Sequence, residues 1–590
     1  MTNLAAGLAL ILLAGLLGAL LARQPVLAGR VVRWGMSAGC LVGVAAAVSA
    51  LAGKTGATAG AGFGFDPLSA WFTIVTLGPG AAAAAYGVPY LGADRTGHRT
   101  GIAHLMLSVL LVALVGVVTA RTTVTFLVAF EAMAVSAYLL VVFEHRDPDV
   151  RGAGFLYIVL THLGVLAIIG MFAAWGGADP LASFDQLAVL AANGRAPVGL
   201  ILVLGLIGFG IKAGMVPAHF WLPGAHAAAP THVSALLSGV VLKSGIYGLL
   251  RVLSLTGPAP VWWGWSVLLL GLVSAVLGVV WALAQHDLKR LLAYHSVENI
   301  GIILMGVGLG ALGAAYGQPV VALFGFTGAV LHTLNHALFK SLLFLGAGVV
   351  AGATGTREID RLGGLVRDLP RTAWAFLLGS AAIVGLPPLN GFVSEWILFR
   401  GLLEAGGTTG ALRGAAVATA GLALTGALAL ACFAKLYGVV FLGSARENRG
   451  VESATERGLF APQAVLALAC LAIGLLPFAV MPAAVAAAAA VLPGGSPVEA
   501  ARVTAGSTRV SAAALALVML GLLAWGLRRV VRRPWGREVS GDTWACGYVA
   551  VTSRMQYTAS SFAASLLGAF GPLAGSEAAA RPGGYDIHSV

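Results

Sequence analysis

About fifteen stretches of roughly 20 apolar residues follow one another along this chain, and each as a helix would cross the ~30 Å core of a bilayer. They lie near 4–22, 31–52, 67–90, 101–120, 122–143, 154–175, 198–222, 231–251, 262–285, 292–314, 319–350, 372–402, 411–442, 462–491 and 511–527. A backbone in lipid must satisfy its own hydrogen bonds. The pattern therefore predicts an all-α polytopic membrane protein with about 14–15 transmembrane helices. Composition agrees, at 59% hydrophobic and 10% charged over 590 residues. The 81 glycines suit helices held together by close backbone approach, because lipid supplies no hydrophobic drive between them. "LAAGLALILLAGLLGALLA" lacks a basic leader and reads as the first span, not as a signal peptide.

Loops after odd-numbered spans hold about 21 Lys and Arg and those after even-numbered spans about 8, which predicts an outside N-terminus and a cytoplasmic C-terminal tail. The setting is the cell's cytoplasmic membrane. "RRVVRR" at 528–533 falls on the predicted cytoplasmic side. A net charge of +12 spread over short loops makes no nucleic-acid patch. Cys40, Cys432, Cys470 and Cys546 form no C-x-x-C pair, so any redox centre belongs to another chain.

Three spans read as broken. "IGFGIKAGMVPAHFWLP" carries Pro217 and Pro223, "VGLPPLNGFVSEWILF" carries Pro387, Pro388 and Gly391, and 319–350 is too long for one straight crossing. Breaks in lipid line hydrated cavities or are simple proline kinks. Their presence in both halves fits two inverted repeats.

Charges in mid-span cost about 2.5 to 3.5 kcal/mol each and point to function. Glu131, Lys212, Lys243, Glu395 and Lys435 are such charges, and "VLHTLNHALFKSLLFLGAGVV" sets His332, His336 and Lys340 four residues apart on one helical face. Such a row suits a proton relay, because buried lysines and histidines exchange protons when a neighbour's charge changes. Two other readings stand beside it. Glu131 can pin a lysine structurally while Lys435 and the rest snorkel, or the histidine pair can bind zinc, although no third ligand accompanies it. His219, His226 and His232 around the seventh span, with Asp287, Lys289 and Lys435, form a second set of pathway or entrance candidates. "QHDLKRLLAYHS", holding Asp287, Lys289 and Arg290, reads equally as a helix cap with cytoplasmic anchoring. "GLGALG" at 308–313 follows no strand and reads as packing glycine. Walker A, G-x-S-x-G and H-E-x-x-H runs are missing from the sequence.

"FEAMAVSAYLLV", "IKAGMVPAHFWLPGAHAAAPTHVSALLSGVVLKSGIYGLLR", "QHDLKRLLAYHSVENIG", "LHTLNHALFKSLLFLGAG" and "GLPPLNGFVSEW" resemble, in order over roughly 65–445, the antiporter-like proton-translocating subunits of respiratory complex I and their relatives. Within that family, these motifs and the tail "DTWACGYVAVTSRMQYTASSF" look most like the branch of hydrogenase-4 component B and the matching formate hydrogenlyase membrane subunit. The resemblance implies two inverted five-helix repeats and a central hydrophilic axis. Segments 1–100, 101–251, 262–445, 460–535 and 536–590 would then be N-terminal helices, first repeat, second repeat, C-terminal helices and cytoplasmic tail.

By motif, Glu131 would be the acidic partner of Lys212, Lys243 the central lysine, His332, His336 and Lys340 the link, and Glu395 the terminal group, where some relatives carry lysine. Gly224 replaces an acidic residue of many relatives. The expected function is a proton-translocating subunit of a redox-driven hydrogenase-4-like or complex I-like assembly. Its partners would be other membrane subunits and a soluble redox arm. Iron–sulfur clusters, nickel–iron or quinone are expected only in those partners, with no catalytic, cofactor or metal residue here. The transported ion would be the proton, with sodium as the alternative. The rivals are a subunit of a multi-subunit cation/proton antiporter and a non-transporting anchor. Segment 557–575 is short for a span and rich in Ala and Ser, and the expectation is a surface or interfacial segment that docks a neighbour.

Overall fold

A computed structural model describes residues 2–53, 62–92, 98–176, 179, 181–408, 410–447, 450–452, 454–492, 497–532 and 555–574. The chain opens with α1 (Thr2–Leu20), α2 (Pro25–Leu51), α3 (Pro67–Leu91), α4 (His98–Thr119), α5 (Thr123–Val141) and α6 (Pro148–Gly176). A short connecting helix, α7 (Phe184–Ala192), leads to α8 (Val198–Ala213), α9 (Trp221–Ala228), α10 (Thr231–Leu236) and α11 (Leu242–Thr256). Then come α12 (Val261–Ala284), α13 (Leu288–Ala315), α14 (Pro319–Thr354), α15 (Pro370–Ile383), α16 (Asn390–Gly406) and α17 (Ala418–Phe441). The last helices are α18 (Ala454–Leu475), α19 (Pro477–Ala489), α20 (Pro497–Thr504), α21 (Ser507–Arg532) and α22 (Ala559–Phe570). Among the described residues there are isolated β-bridges and no named strand, so the protein is an all-helical, multi-pass membrane protein.

Among the described residues, thirteen helices are long and apolar enough to cross a membrane. The spans of about fifteen that miss this test are the two proline-broken ones. In the first, α8 stops at Gly214 in the left-handed conformation (φ 75°), and Pro217 follows before α9. In the second, α15 stops before Gly385 (φ 69°), and Pro387 and Pro388 precede α16. Each proline lacks the N–H that would have continued the helix. Counting the spans from α4, each break falls in the fourth crossing of a set of five. Since five is odd, the second set starts from the opposite side of the membrane.

The third expected break is absent. α14 runs unbroken for 36 residues, about 54 Å at 1.5 Å per residue. Length alone does not break a helix: the only proline of α14 is Pro319 in its first turn, where a missing N–H costs nothing. Nearly all of α14 is buried in protein, between α3, α10, α13, α15, α16 and α18. Trp71 and Tyr86 of α3 donate to the Val330 and Leu345 carbonyls at 3.0 and 2.9 Å. The irregularities lie elsewhere. A π-helical stretch, Leu237–Val241, joins α10 to α11 within one span, and the stretch 462–491 divides at Leu476 into α18 and α19.

α12 and α13 show what the glycines do. A Cβ on Gly271 would stand 2.6 Å from the Met305 nitrogen, so the two backbones touch. The "GLGALG" glycines behave alike, with Gly308 against Leu268 of α12 and Gly313 against Ala322 of α14. Segment 555–574 lies on its own chain. α22 has 12 residues and rests on α12 and α17, and Trp281 Nε1 donates to the Leu573 carbonyl at 3.0 Å. Most of the tail motif beginning at 542, with Cys546, lies outside the described residues.

Candidate functional site: a buried polar row

Lys243 sits just past the π-helical stretch. Its ammonium donates to the Ser238 carbonyl at 2.5 Å and to His336 Nδ1 at 2.7 Å. A π-turn widens the helix and leaves carbonyls open to such side chains. The stretch must also approach α14 closely, and Gly239 permits this: a Cβ there would meet Ser341 Oγ at 2.6 Å and the Ala337 carbonyl at 3.1 Å. Lys243 and His336 are 93 residues apart in sequence, and their contact joins the two halves of the bundle.

His332, His336 and Lys340 share one face of α14 and are all fully buried. The two imidazoles lie 6.5 Å apart, centre to centre. His332 bonds Asn299 Oδ1 of α13 through Nε2 (3.1 Å) and Ser394 Oγ of α16 through Nδ1 (2.9 Å). Asn335 extends this network, donating to Ser394 Oγ (2.9 Å) and to the Asn390 carbonyl (2.7 Å) at the first residue after the break. One residue beyond Ser394, the Glu395 carboxylate rests against Gly385. A Cβ at that left-handed glycine would come within 2.6 Å of it. Lys340 donates to the Leu292 carbonyl of α13, and one turn further on His295 and Glu298 form a fully buried pair.

Lys212, in the last turn of α8, is also buried. Its partner is the Tyr157 hydroxyl of α6 at 3.1 Å, and its ammonium lies 5.2 and 5.7 Å from the rings of Tyr157 and Phe130. Glu131 makes no direct ion pair with Lys212, although it lies near enough for its charge to act on that ammonium. It pairs with His162 Nε2 at 3.0 Å, and both side chains are partly exposed, by 38% and 48%, on the flank of the bundle. The cause is helical phase. The buried stripe of α5 runs through Phe126, Phe130, Met133 and Ala137, and Glu131 stands about 100° round from Phe130.

The second set of candidates divides by role. Asp287 caps α13 through the Lys289 and Arg290 amides (2.8 and 2.9 Å) and pairs with Arg357 (3.3 Å), so its cap reading is what the geometry displays. Together with Gly224, Glu144, Asp147, Asp149 and Arg290 it lines a polar cavity of about 690 Å³. Lys289 turns inward and donates to the Ala229 carbonyl at 2.7 Å. Lys435 does not snorkel: it is 1% exposed and donates to the Leu283 and Gln285 carbonyls at the end of α12, where a cation meets the negative end of the helix dipole. His219 stacks on Trp281, with ring centres 4.6 Å apart, and His226 packs on Phe344 of α14 at 5.6 Å. Ring nitrogens of His219, His226, His232, His295 and His336 are buried with no protein partner. Such atoms call for water, which a buried polar site of this kind usually holds. Among the described residues no three His, Cys, Asp or Glu side chains are grouped to hold a metal, and His336 faces a lysine.

Residues 120–421 match the family described as NADH:quinone oxidoreductase/Mrp antiporter, transmembrane region. Hydrogenase-4 component B of Escherichia coli (strain K12) is 36% identical over 502 residues, 82% of this chain and 73% of the relative. The chain belongs to the NADH:quinone oxidoreductase/Mrp antiporter family. Formate hydrogenlyase subunit 3 of the same organism is a second relative, 36% identical over 580 residues, 96% of this chain and 91% of its own length. A chain of the Mrp complex from Dietzia sp. DQ12-45-1b shares the fold, with TM-score 0.71 and 27% identity over 90% of this chain. This protein spans 57% of that longer chain.

For this family member, several residues of the buried row escaped the sequence reading. Glu298 was open to the rule that found Glu131, because it is a carboxylate inside the apolar stretch 292–314. His295, three residues earlier on the same face, had the same signal. Asn299, Asn335, Asn390, Ser394 and Tyr157 had none, since uncharged polar residues are common in membrane helices and only their convergence singles them out.

Proposed function

We propose that this chain is a proton-translocating membrane subunit of a redox-driven, hydrogenase-4-like assembly. The observation that carries the reading is the Lys243–His336 contact, which links the Lys212 half to the Asn–His–Ser network at the second break through buried groups alone. Lys243 releases its proton when a charge gathers on Lys212 or Lys340, and His336 receives it at 2.7 Å. Moving one charge against 100 mV takes about 2.3 kcal/mol, less than a two-unit change in a lysine's pKa supplies. Protons would enter from the polar cavity lined by Asp287, whose rim holds Glu144, Asp147 and Asp149. Glu131 and His162 face outward on the flank, where a neighbouring membrane subunit would cover them and complete the path. The redox groups, iron–sulfur, nickel–iron or quinone, would sit in those partners.

Likeness to hydrogenase-4 component B and formate hydrogenlyase subunit 3, over 82% and 96% of this chain, favours this reading over a gradient-driven antiporter. Proton movement in inverted membrane vesicles tests it. Lys243→Ala is expected to leave the complex assembled and its electron transfer measurable while proton uptake falls by about 100-fold or more, the scale of losing a positioned proton-transfer group. Undiminished uptake in that variant would refute the assignment.

A further inference from the structure

Away from the buried row, the end of α1, the start of α2, the end of α3 and the start of α4 enclose a cavity of about 380 Å³. Its lining includes Arg30 and Arg33 of α2 and His104 of α4, and among the described residues it carries no carboxylate. His104 is 7% exposed, and both of its ring nitrogens are buried with no protein partner; Arg33 Nε is likewise unpaired. A neutral imidazole offers one donor and one acceptor, so a ligand that can both accept and donate a hydrogen bond would match His104. The mouth is apolar and outward-facing, with Trp34 68% and Val26 61% exposed, and the Arg33 guanidinium lies 5.4 Å from the Trp34 ring. Tryptophan beside arginine at helix ends is the signature of the headgroup level of a bilayer. All four helix ends adjoin the connections after the first and third spans, whose sequences carry Arg23, Arg30, Arg95 and Arg99.

We propose that this cavity is a binding site for the headgroup of an anionic phospholipid. The two guanidinium groups hold the phosphate, and one His104 nitrogen donates to it while the other accepts from a headgroup hydroxyl. The acyl chains leave over Val26 and Trp34. A free phosphate would satisfy the arginines but would leave the apolar mouth facing lipid tails with nothing anchored there. Basic clefts between transmembrane helices on the cytoplasmic side are the usual places for such headgroups.

The full chain, exchanged into phosphatidylcholine–detergent micelles and titrated with phosphatidylglycerol, tests this by native mass spectrometry. Wild type is expected to take up about one phosphatidylglycerol per chain with an affinity about thirtyfold above that of Arg30→Gln/Arg33→Gln, the effect of two arginines at a membrane surface. Arg33→Lys, which keeps the charge, is expected to stay within about threefold of wild type. Equal uptake by wild type and the double variant would overturn the proposal. So would equal binding of phosphatidylcholine, and so would full displacement by inorganic phosphate, which would make this a free-anion site. Thermal unfolding of the double variant in the same micelles separates lost binding from lost folding. If Arg30→Gln/Arg33→Gln proves unfolded, loss of phosphatidylglycerol uptake in His104→Gln decides in its place, and wild-type uptake by that variant overturns the proposal.

Discussion

The two broken-helix regions hold their charges in opposite ways. Around α8, Lys212 is the one buried charged side chain among the described residues of α5, α6 and α8, and it has a single hydroxyl partner and two aromatic faces. Around α16, His332 is tied through Asn299, Ser394, Asn335 and Asn390 into a network with several alternative bonds. On the proposed function, a lone group in apolar walls would make a gate, because the path would be interrupted whenever that group could not change its charge. A network with spare partners would make a conduit, because a lost member leaves polar neighbours that can hold water in its place.

That contrast can be broken by substitution. The largest effect is expected from Lys212→Ala, which should lower proton uptake by about 100-fold or more in vesicles, since it removes the one buried charged side chain of α5, α6 and α8 among the described residues. His332→Ala should cost less, roughly tenfold or under, because Asn299 and Ser394 remain to bind a water. If the two variants lose uptake equally, the gate-and-conduit distinction is wrong. Tyr157→Phe sharpens it further. Removing one neutral hydroxyl from Lys212 costs about 1 kcal/mol, so uptake should fall by only about fivefold while the complex stays intact.

The smallest effect lies outside the membrane and concerns the second half alone. Asp360, in the loop after α14, accepts from the Ala559 amide at 2.6 Å and meets His286 Nδ1 at 2.8 Å, so it fastens the start of α22. Burial by itself would raise this carboxyl, but the bonds to His286 and Ala559 and the nearby Arg446 charge together hold it below its ordinary value of 3.8. A depressed carboxylate gives stability that is present above the unfolded pKa and lost as pH falls through the folded one. Hydrogen exchange at 558–570 should therefore stay slow from neutral pH down to about 4 and quicken below it. Asp360→Asn should exchange faster at neutral pH, and unchanged protection there would remove Asp360 from this role.

Sequence reading reached a good part of this protein for a local reason. A bilayer imposes a length and a solvent on each segment separately, so apolar runs of fixed length and the charges interrupting them can be seen without knowing the fold. Pro217 and Pro387 mark helix breaks because a proline acts on its own turn. The spacing of His332, His336 and Lys340 fixes a shared face because it lies within one helix.

What the sequence left open depends on neighbours. Whether the 36 residues of α14 break or continue was settled by α3, α13 and α16 burying nearly its whole length. Glu131 carries the same mid-span signal as Lys212, yet the phase of α5 turns it to the flank and toward His162. The contact of Lys243 with His336 needs a π-helical stretch, a glycine and the meeting of segments 93 residues apart. Local chemistry determined which residues are costly to bury; only packing decided which of them touch, because a hydrogen bond depends on where two helices meet and not on either helix alone.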